Sequence, residues 1–224
     1  MSSGSRRRSP LAGAGVTVDK LAEAVDAFIA APDALARRGP LDLLSVYLTA
    51  RGDHATIEQR QLVMALQQRQ SDLLQVVHSH ALLDCFIQCF QDATGHSVIA
   101  VGLAGNTTLV AGNTALVVLR RLVELGYRFS STLPQVRQLV AAVDRLGGGC
   151  GLGRAEFGLL SALLREWGGV VHPIILSDHQ MLIARAEEDG TRRADAVTFL
   201  VELFSSTGTP TLPASSWLRL FALA

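Results

Sequence analysis

Three side chains of metal-binding type share one predicted helix face. His78, Cys85 and Cys89 are separated by seven and four residues, which places them on one side of a helix. Imidazole and thiolate groups are common zinc ligands, but a tetrahedral site needs a fourth ligand and no Cys-x-x-Cys pair lies nearby. Free cysteines are also among the most frequently buried residues. We therefore predict that both cysteines pack in the core and that the chain holds no metal ion.

Two other groups of residues resemble parts of nucleotide or catalytic sites. The sequence GGGCGLG at 147–153 precedes a predicted helix, where free amides could hold an anion, but its spacing fits neither a dinucleotide fingerprint nor a P-loop. Ser177, Asp178 and His179 are the residue types of a hydrolase triad, yet neighbours on a helix point about 100° apart. We predict an inter-helix linker at 147–153, a helix cap at Ser177, and neither a catalytic residue nor a cofactor.

One long segment qualifies as a candidate membrane span. Val98 to Leu119 contains no charged residue and is followed by Arg120 and Arg121, as is typical at the end of a span. The segment also contains AGNTTLV and AGNTALV in tandem, which places Gly-Asn pairs at 105–106 and 112–113. Asparagine is costly in lipid, and Gly-Asn often ends one helix and caps the next. We therefore predict two short buried helices here, and no membrane span.

The composition argues against nucleic acid as a partner. The chain has 20 basic and 20 acidic residues, so no overall field attracts phosphate. Its three cysteines are a sparse and odd set, which indicates a reducing compartment. Residues 1–15 have no acid and no apolar block, and we predict a flexible tail. We expect a cytoplasmic or nuclear location; the Arg- and Ser-rich start suits a mitochondrial or other organellar transit peptide as the alternative.

From Val16 onward the helical period of the apolar residues dominates the sequence. Before Pro32, apolar residues recur at spacings of three and four, namely at Leu21, Val25, Phe28 and Ile29. A second helix is predicted over Leu41–Ala50, opened by Pro40 and closed by Gly52.

Helix starts are marked by a Ser or Thr followed three residues later by Gln, a pairing that satisfies free amides at a helix N-terminus. These pairs are Thr56 with Gln59, Thr132 with Gln135, and Ser177 with Gln180. Strand signals are weak, since the one β-branched run, 170–175, is interrupted by Pro173. The sequence therefore predicts an all-α fold in which residues 16–224 form a single helical repeat domain.

Internal similarity indicates a duplicated helical unit. The segment that starts at Arg60 aligns without gaps on the segment that starts at Arg137, an offset of 77 residues. The apolar set Leu83, Phe86, Ile87 and Phe90 then falls on Leu160, Leu163, Leu164 and Trp167. Each set has the spacing of one helix face. We predict that both faces are buried and that the two segments superpose as pairs of antiparallel helices.

Half of that offset, about 38 residues, is close to the length of two- or three-helix repeats that stack on their neighbours. In this period and helix pattern, the chain between Val16 and Leu203 resembles armadillo and HEAT-type α-solenoids. The resemblance implies a curved stack of helix pairs whose concave face binds an extended peptide or another protein, without catalysis. A compact helical bundle is the structural alternative.

The C-terminal segment is rich in large apolar side chains, which are the usual anchors of interfaces. We predict that it docks to another protein or to a second copy of the chain; packing back on the helix at 194–204 is the alternative. The residues predicted to contact a partner are Trp217, Phe221, Leu218, Arg120 and Arg121.

These features favour a non-catalytic scaffold for protein–protein interactions, or a subunit of a larger complex. Two alternatives remain open at this point. One is a membrane-associated helical protein that uses Val98 to Leu119. The other is a small α-helical ligand-binding protein or enzyme, in which His78, Cys85 and Cys89 would face a pocket.

Overall fold

The chain is helical throughout the part that can be described. A computed structural model describes residues 16–49, 57–69, 72–96, 103–150, 153–177 and 193–205, together with Ser215, Arg219 and Ala222. The helices of these ranges are α1 (Val18–Ala30), α2 (Ala34–Thr49), α3 (Ile57–Gln68), α4 (Asp72–His96), α5 (Leu103–Glu124), α6 (Leu133–Cys150), α7 (Gly153–Ser177) and α8 (Arg193–Ser205). No strand occurs in the same ranges, and the predicted all-α class is confirmed.

Local hydrogen bonds fix two of the helix starts. The hydroxyl of Thr17 accepts from the amide of Lys20 at 3.4 Å and caps α1. The predicted capping box at the start of α6 is confirmed, because the amide of Gln135 donates to Thr132 Oγ1 at 3.4 Å and the amide of Thr132 donates to Gln135 Oε1 at 3.1 Å. The side chain of Gln135 also donates to Asp84 at 2.8 Å. The cap therefore ties α6 to α4.

Helix α2 begins earlier than predicted. Asp33 is its N-cap, since Asp33 Oδ1 accepts from the amide of Ala36 at 2.8 Å, and the helix continues through Pro40. The prediction that Pro40 opens this helix is therefore wrong. A proline inside a helix removes one backbone hydrogen bond, and the loss is offset by a fully buried face made of Leu41, Leu44 and Leu48. The predicted helix end at Gly52 and cap at Thr56 lie outside the described residues.

Helix α5 is continuous through both Gly-Asn pairs, so the prediction of two short helices is wrong. The reason lies in how closely α5 packs on α4. A Cβ atom on Gly112 would lie 2.7 Å from Ala93 Cβ and 3.7 Å from the carbonyl oxygen of Cys89. Glycine costs a helix about 1 kcal/mol relative to alanine, and here its missing side chain allows the two helices to approach.

The described part of the chain contains no helix that is both long enough and apolar enough to cross a membrane. Residues 98–102, where the candidate span would begin, lie outside the described ranges.

The predicted linker at 147–153 is wrong over most of its length. Helix α6 continues to Cys150 and α7 begins at Gly153, so the glycines at 147–149 are helical. Helix α7 kinks at Trp167, where φ is −121° and ψ is 24°.

Residues that weaken a helix follow the kink in α7. Gly168 and Gly169 lie directly after Trp167, and Pro173 has no N–H to donate to the carbonyl of Gly169. Ser177 is the last residue of α7, and the helix that it is predicted to cap would begin outside the described residues. Its proposed partner Gln180 lies outside the described residues.

The helices pack in two rows. In one row α4 contacts both α1 and α6, and in the other α5 contacts both α2 and α7, while α8 packs on α7. Across the rows α1 packs on α2, α4 on α5, and α6 on α7. Helix α3 lies outside this pattern and packs on α1. The central pair of the stack is therefore α4 and α5.

One hydrophobic cluster contains buried residues from each of the eight helices that the structure describes. The predicted core face of α4 is confirmed, since its four apolar residues are at most 4% exposed: Leu83, Phe86, Ile87 and Phe90. On the aligned face of α7, Leu160, Leu163 and Leu164 are likewise buried, whereas Trp167 is only partly covered.

The packing does not follow the 77-residue register. That register places α3 on α6 and α4 on α7. In the structure, however, α4 and α7 belong to different rows, and α3 packs on α1 whereas α6 packs on both α4 and α7. The two segments thus share the order of their helices and their buried faces but not their neighbours.

Candidate functional site

A groove with a volume of about 970 Å³ lies at one edge of the described helices. Three elements form it. Helix α3 contributes one stripe, the turn between α5 and α6 contributes residues 125–129, and α7 contributes Glu166 and Trp167 at its kink. The groove therefore depends on two local irregularities, a turn and a kink, and on a helix outside the two rows.

The turn after α5 is set by a glycine. Gly126 has φ +88°, a left-handed conformation that side chains other than glycine rarely adopt. The amide of Gly126 donates to the carbonyl of Val123 and the amide of Tyr127 donates to the carbonyl of Leu122, both at 2.9 Å. This is the Schellman pattern that ends a helix. It turns the chain so that Tyr127 and Phe129 are buried beneath the groove.

An aromatic chain forms the floor of the groove. The rings of Tyr127 and Phe129 lie 4.6 Å apart between centroids, and Phe129 meets Trp167 edge-on at 5.6 Å. Such pairs contribute about 0.5 to 1.5 kcal/mol beyond their buried area. Because α7 kinks at Trp167, the indole is only partly covered, and its remaining surface faces the groove.

Helix α3 supplies the opposite wall. Its lining residues recur at helical spacing and form one stripe, which consists of Arg60, Met64, Gln67 and Gln68. Met64 is 53% exposed. Gln67 Nε2 donates to the carbonyl of Arg128 at 3.1 Å, so the wall is tied to the turn.

Three charged side chains line the groove. Arg60, Arg128 and Glu166 are all exposed, and within the described ranges none of the three forms an ion pair. The rim of the groove thus carries two cations, one anion and a set of amide side chains.

A pair of buried hydroxyls lies below the floor. Burial raises the pKa of Tyr127, and the neighbouring hydroxyl of Ser79 acts in the opposite direction. The two hydroxyls are close, but neither has a hydrogen-bond partner of good geometry among the described atoms. The phenol therefore stays protonated at neutral pH.

Arg120 and Arg121, which the sequence predicted to contact a partner, lie at the junction of α2, α5 and α7. The side chain of Arg121 is 6% exposed, and its Nη1 lies 3.2 Å from Glu124. Arg121 Nε donates to the carbonyl of Leu48 at 3.4 Å, and Gln59 donates to the same carbonyl at 2.8 Å. Arg121 thus satisfies a free carbonyl in the last turn of α2.

Arg120 is more accessible, with its side chain 44% exposed and its Nε 2.7 Å from Glu124. Its guanidinium lies over Gly158 of α7, where a Cβ atom would come within 2.6 Å of Arg120 Nη1. A small cavity of about 330 Å³ borders this cluster. The structure leaves the predicted partner contact of both arginines untested.

The cysteines of the candidate metal face are buried. Burial raises the pKa of Cys89 to about 11 and also raises that of Cys85, while the charge of Arg37 lowers both. His78 pairs instead with Asp26 of α1, at 3.1 Å. Among the residues that the structure describes, no three side chains of ligand type form a metal-binding group.

Several predicted site residues cannot be placed. Trp217, Leu218 and Phe221 lie outside the described residues, as do Asp178 and His179. Conversely, the sequence reasoning missed the groove. The sequence does contain one signal for the groove. Gly126 follows α5 and is itself followed closely by Tyr127 and Phe129, and a glycine at this position is typical of a Schellman helix end.

No protein-family model matches the chain, and no curated protein or solved structure matches it significantly.

Proposed function

We propose that this chain is a non-catalytic module for protein–protein interaction, built as a short α-solenoid, and that the groove receives a segment of its partner. The two rows of contacts support the solenoid form: α1 with α2, α4 with α5, and α6 with α7 form successive pairs, each packed on the next. Stacked helix pairs of this kind present extended binding surfaces. A compact bundle is the alternative architecture.

The observation that carries the proposal is the composition of the groove. Its lining includes a tryptophan, a tyrosine, a phenylalanine, a methionine and two arginines, which are the residue types enriched at protein interfaces. Partly exposed Trp167 and exposed Met64 offer apolar contact area. The charged side chains at the rim are hydrated when the groove is empty. An interface hot spot has this arrangement of apolar centre and polar surround.

The C-terminal segment at 215–224 is a second proposed contact, through docking or self-association, and rests on its sequence alone. A cytoplasmic or nuclear location likewise remains a proposal, with an organellar location as the alternative.

Quantitative affinity capture tests the groove. The full chain and Met64→Glu are compared with Val77→Glu as a matched control, because Val77 is 66% exposed on α4 and does not line the groove. Both substitutions place a charge at an exposed apolar position, and we expect both proteins to keep the wild-type melting temperature. We expect Met64→Glu alone to lose a specific set of captured proteins. Equal capture by all three proteins would contradict the proposal.

A further inference from the structure

We propose that the groove selects an acidic segment of a partner protein that carries an aromatic residue. This inference rests on the proposed function and adds the chemistry of the partner. Two sets of groove residues point to it, namely the cations of the rim and the aromatic floor with its methionine wall.

The cations define the charge of the occupant. Four exposed arginines in the described ranges have acidic partners, namely Arg38, Arg69, Arg120 and Arg165. Arg60 and Arg128 do not, although both line the groove. They reach it from different elements, α3 and the turn after α5, so an acidic segment lying between them could pair with both. A guanidinium pairs well with a carboxylate because its donors match the two carboxylate oxygens.

The apolar surface defines the second requirement. Trp167 presents an indole that Phe129 holds edge-on from behind, and Met64 presents a flexible thioether from the opposite wall. An aromatic ring placed between them gains ring-to-ring contact on one side and sulfur-to-ring contact on the other. A purely acidic segment would leave this surface exposed to water.

The same surface fits a nucleic acid less well. Arginine and aromatic residues do bind single strands, but a nucleic acid carries a phosphate at every residue, so that some of its charges would lie beside Glu166 at the rim. A peptide can instead place its acids only where Arg60 and Arg128 lie. Among the described residues that line the groove, two are cations and one is an anion, and the whole chain carries no net charge. Gln67 and Gln68 offer amide groups that suit a peptide main chain.

A displayed library of random peptides provides the test. The probe is the library itself, selected against the full chain, and the enriched peptides are then measured individually by fluorescence anisotropy. We expect enriched sequences to combine Asp or Glu with Trp, Phe or Tyr. The variant Arg60→Glu with Arg128→Glu should weaken their binding about tenfold or more. The matched control is Arg145→Glu, since Arg145 is an exposed residue of α6 that does not line the groove.

The outcomes separate the two proposals. If enriched peptides lack acids but still lose binding in Met64→Glu, the inference fails and the proposed function stands. If no peptide is enriched, or binding survives the groove substitutions, the groove is not a peptide site and this inference falls. Single-stranded oligouridine that binds and is released by the double arginine variant would overturn it in favour of nucleic acid.

Discussion

The close crossing of α4 and α5 can be tested by adding a single methyl group at Gly112. The Cβ atom of alanine would lie 2.7 Å from Ala93 Cβ, whereas carbon atoms pack best at about 3.5 to 4.0 Å. Both atoms are attached directly to helix backbones, so the contact is relieved only if the helices separate by about 1 Å. This is the central pair of the stack, and its separation would disturb packing on both sides.

Two effects of Gly112→Ala oppose each other. The substitution removes a helix glycine, which alone would stabilise by about 1 kcal/mol. Overpacking in a core costs about 1 to 3 kcal/mol, and a contact this short lies toward the upper end of that range. We therefore expect a net loss of about 1 to 2 kcal/mol, or a melting temperature lower by about 2 to 8 °C.

Chemical denaturation measures the free energy of unfolding of Gly112→Ala and of matched variants. Gly169→Ala is the control, because Gly169 is an exposed residue inside α7 and a Cβ atom there would meet nothing within 4 Å; it should gain about 0.5 to 1 kcal/mol. Ala93→Gly in combination with Gly112→Ala should recover part of the loss, which shows as coupling in the double-mutant cycle. If Gly112→Ala stabilises as much as Gly169→Ala, the helices do not cross at this point.

Three further predictions concern the buried Arg121, the N-terminal cap of α6 and the buried thiol of Cys89. Replacing Arg121 by Met should cost about 1.5 to 3 kcal/mol in denaturant unfolding, because a buried charged group that pairs with Glu124 is lost, although Gln59 still donates to the carbonyl of Leu48. Arg120→Met should cost less than about 1 kcal/mol, as Arg120 itself is exposed, and equal losses would refute the difference in roles. Thr132→Ala should lower stability by about 1 kcal/mol through loss of the α6 cap, and an unchanged unfolding midpoint would show that the cap is dispensable. Burial holds the pKa of Cys89 at about 11, above the ordinary value of 9.0, so its contribution to stability is complete below pH 9 and is lost as the pH rises from 9 to 11. Unfolding curves across that range should show a decline that is smaller in Cys89→Ala; an identical decline in both proteins would assign it to other groups.

The sequence predicts those features that depend on local chemistry. The capping box of Thr132 and Gln135 and the apolar face around Phe86 are visible because each needs only a few residues at fixed spacing. The same local rules failed at Pro40 and at the Gly-Asn pairs of α5. In both places tertiary packing outweighs propensity: a buried leucine face holds α2 together, and the crossing at Gly112 requires a glycine where a helix end was predicted.

Features that depend on contacts between distant parts of the sequence are harder to predict. The register of 77 residues matched buried faces correctly but not the neighbours of each helix, because the apolar spacing of one core helix is common to all of them. The groove joins α3, the turn at Gly126 and the kink at Trp167, which are separated by more than 100 residues of sequence in total (from 60 to 167). Nothing in the local pattern around Arg60 or Met64 indicates that they face an aromatic floor.

Site-specific photocrosslinking tests the central claim, that the groove is where a partner protein binds. A benzophenone amino acid is placed at Met64 in the groove and, in a separate protein, at Leu35, which is 71% exposed on α2 and lies outside the groove. Illumination in living cells should give a discrete crosslinked species at Met64, absent at Leu35 and reduced by the Arg60→Glu and Arg128→Glu substitutions. Crosslinking of the same partner at Leu35 with none at Met64 would contradict the account.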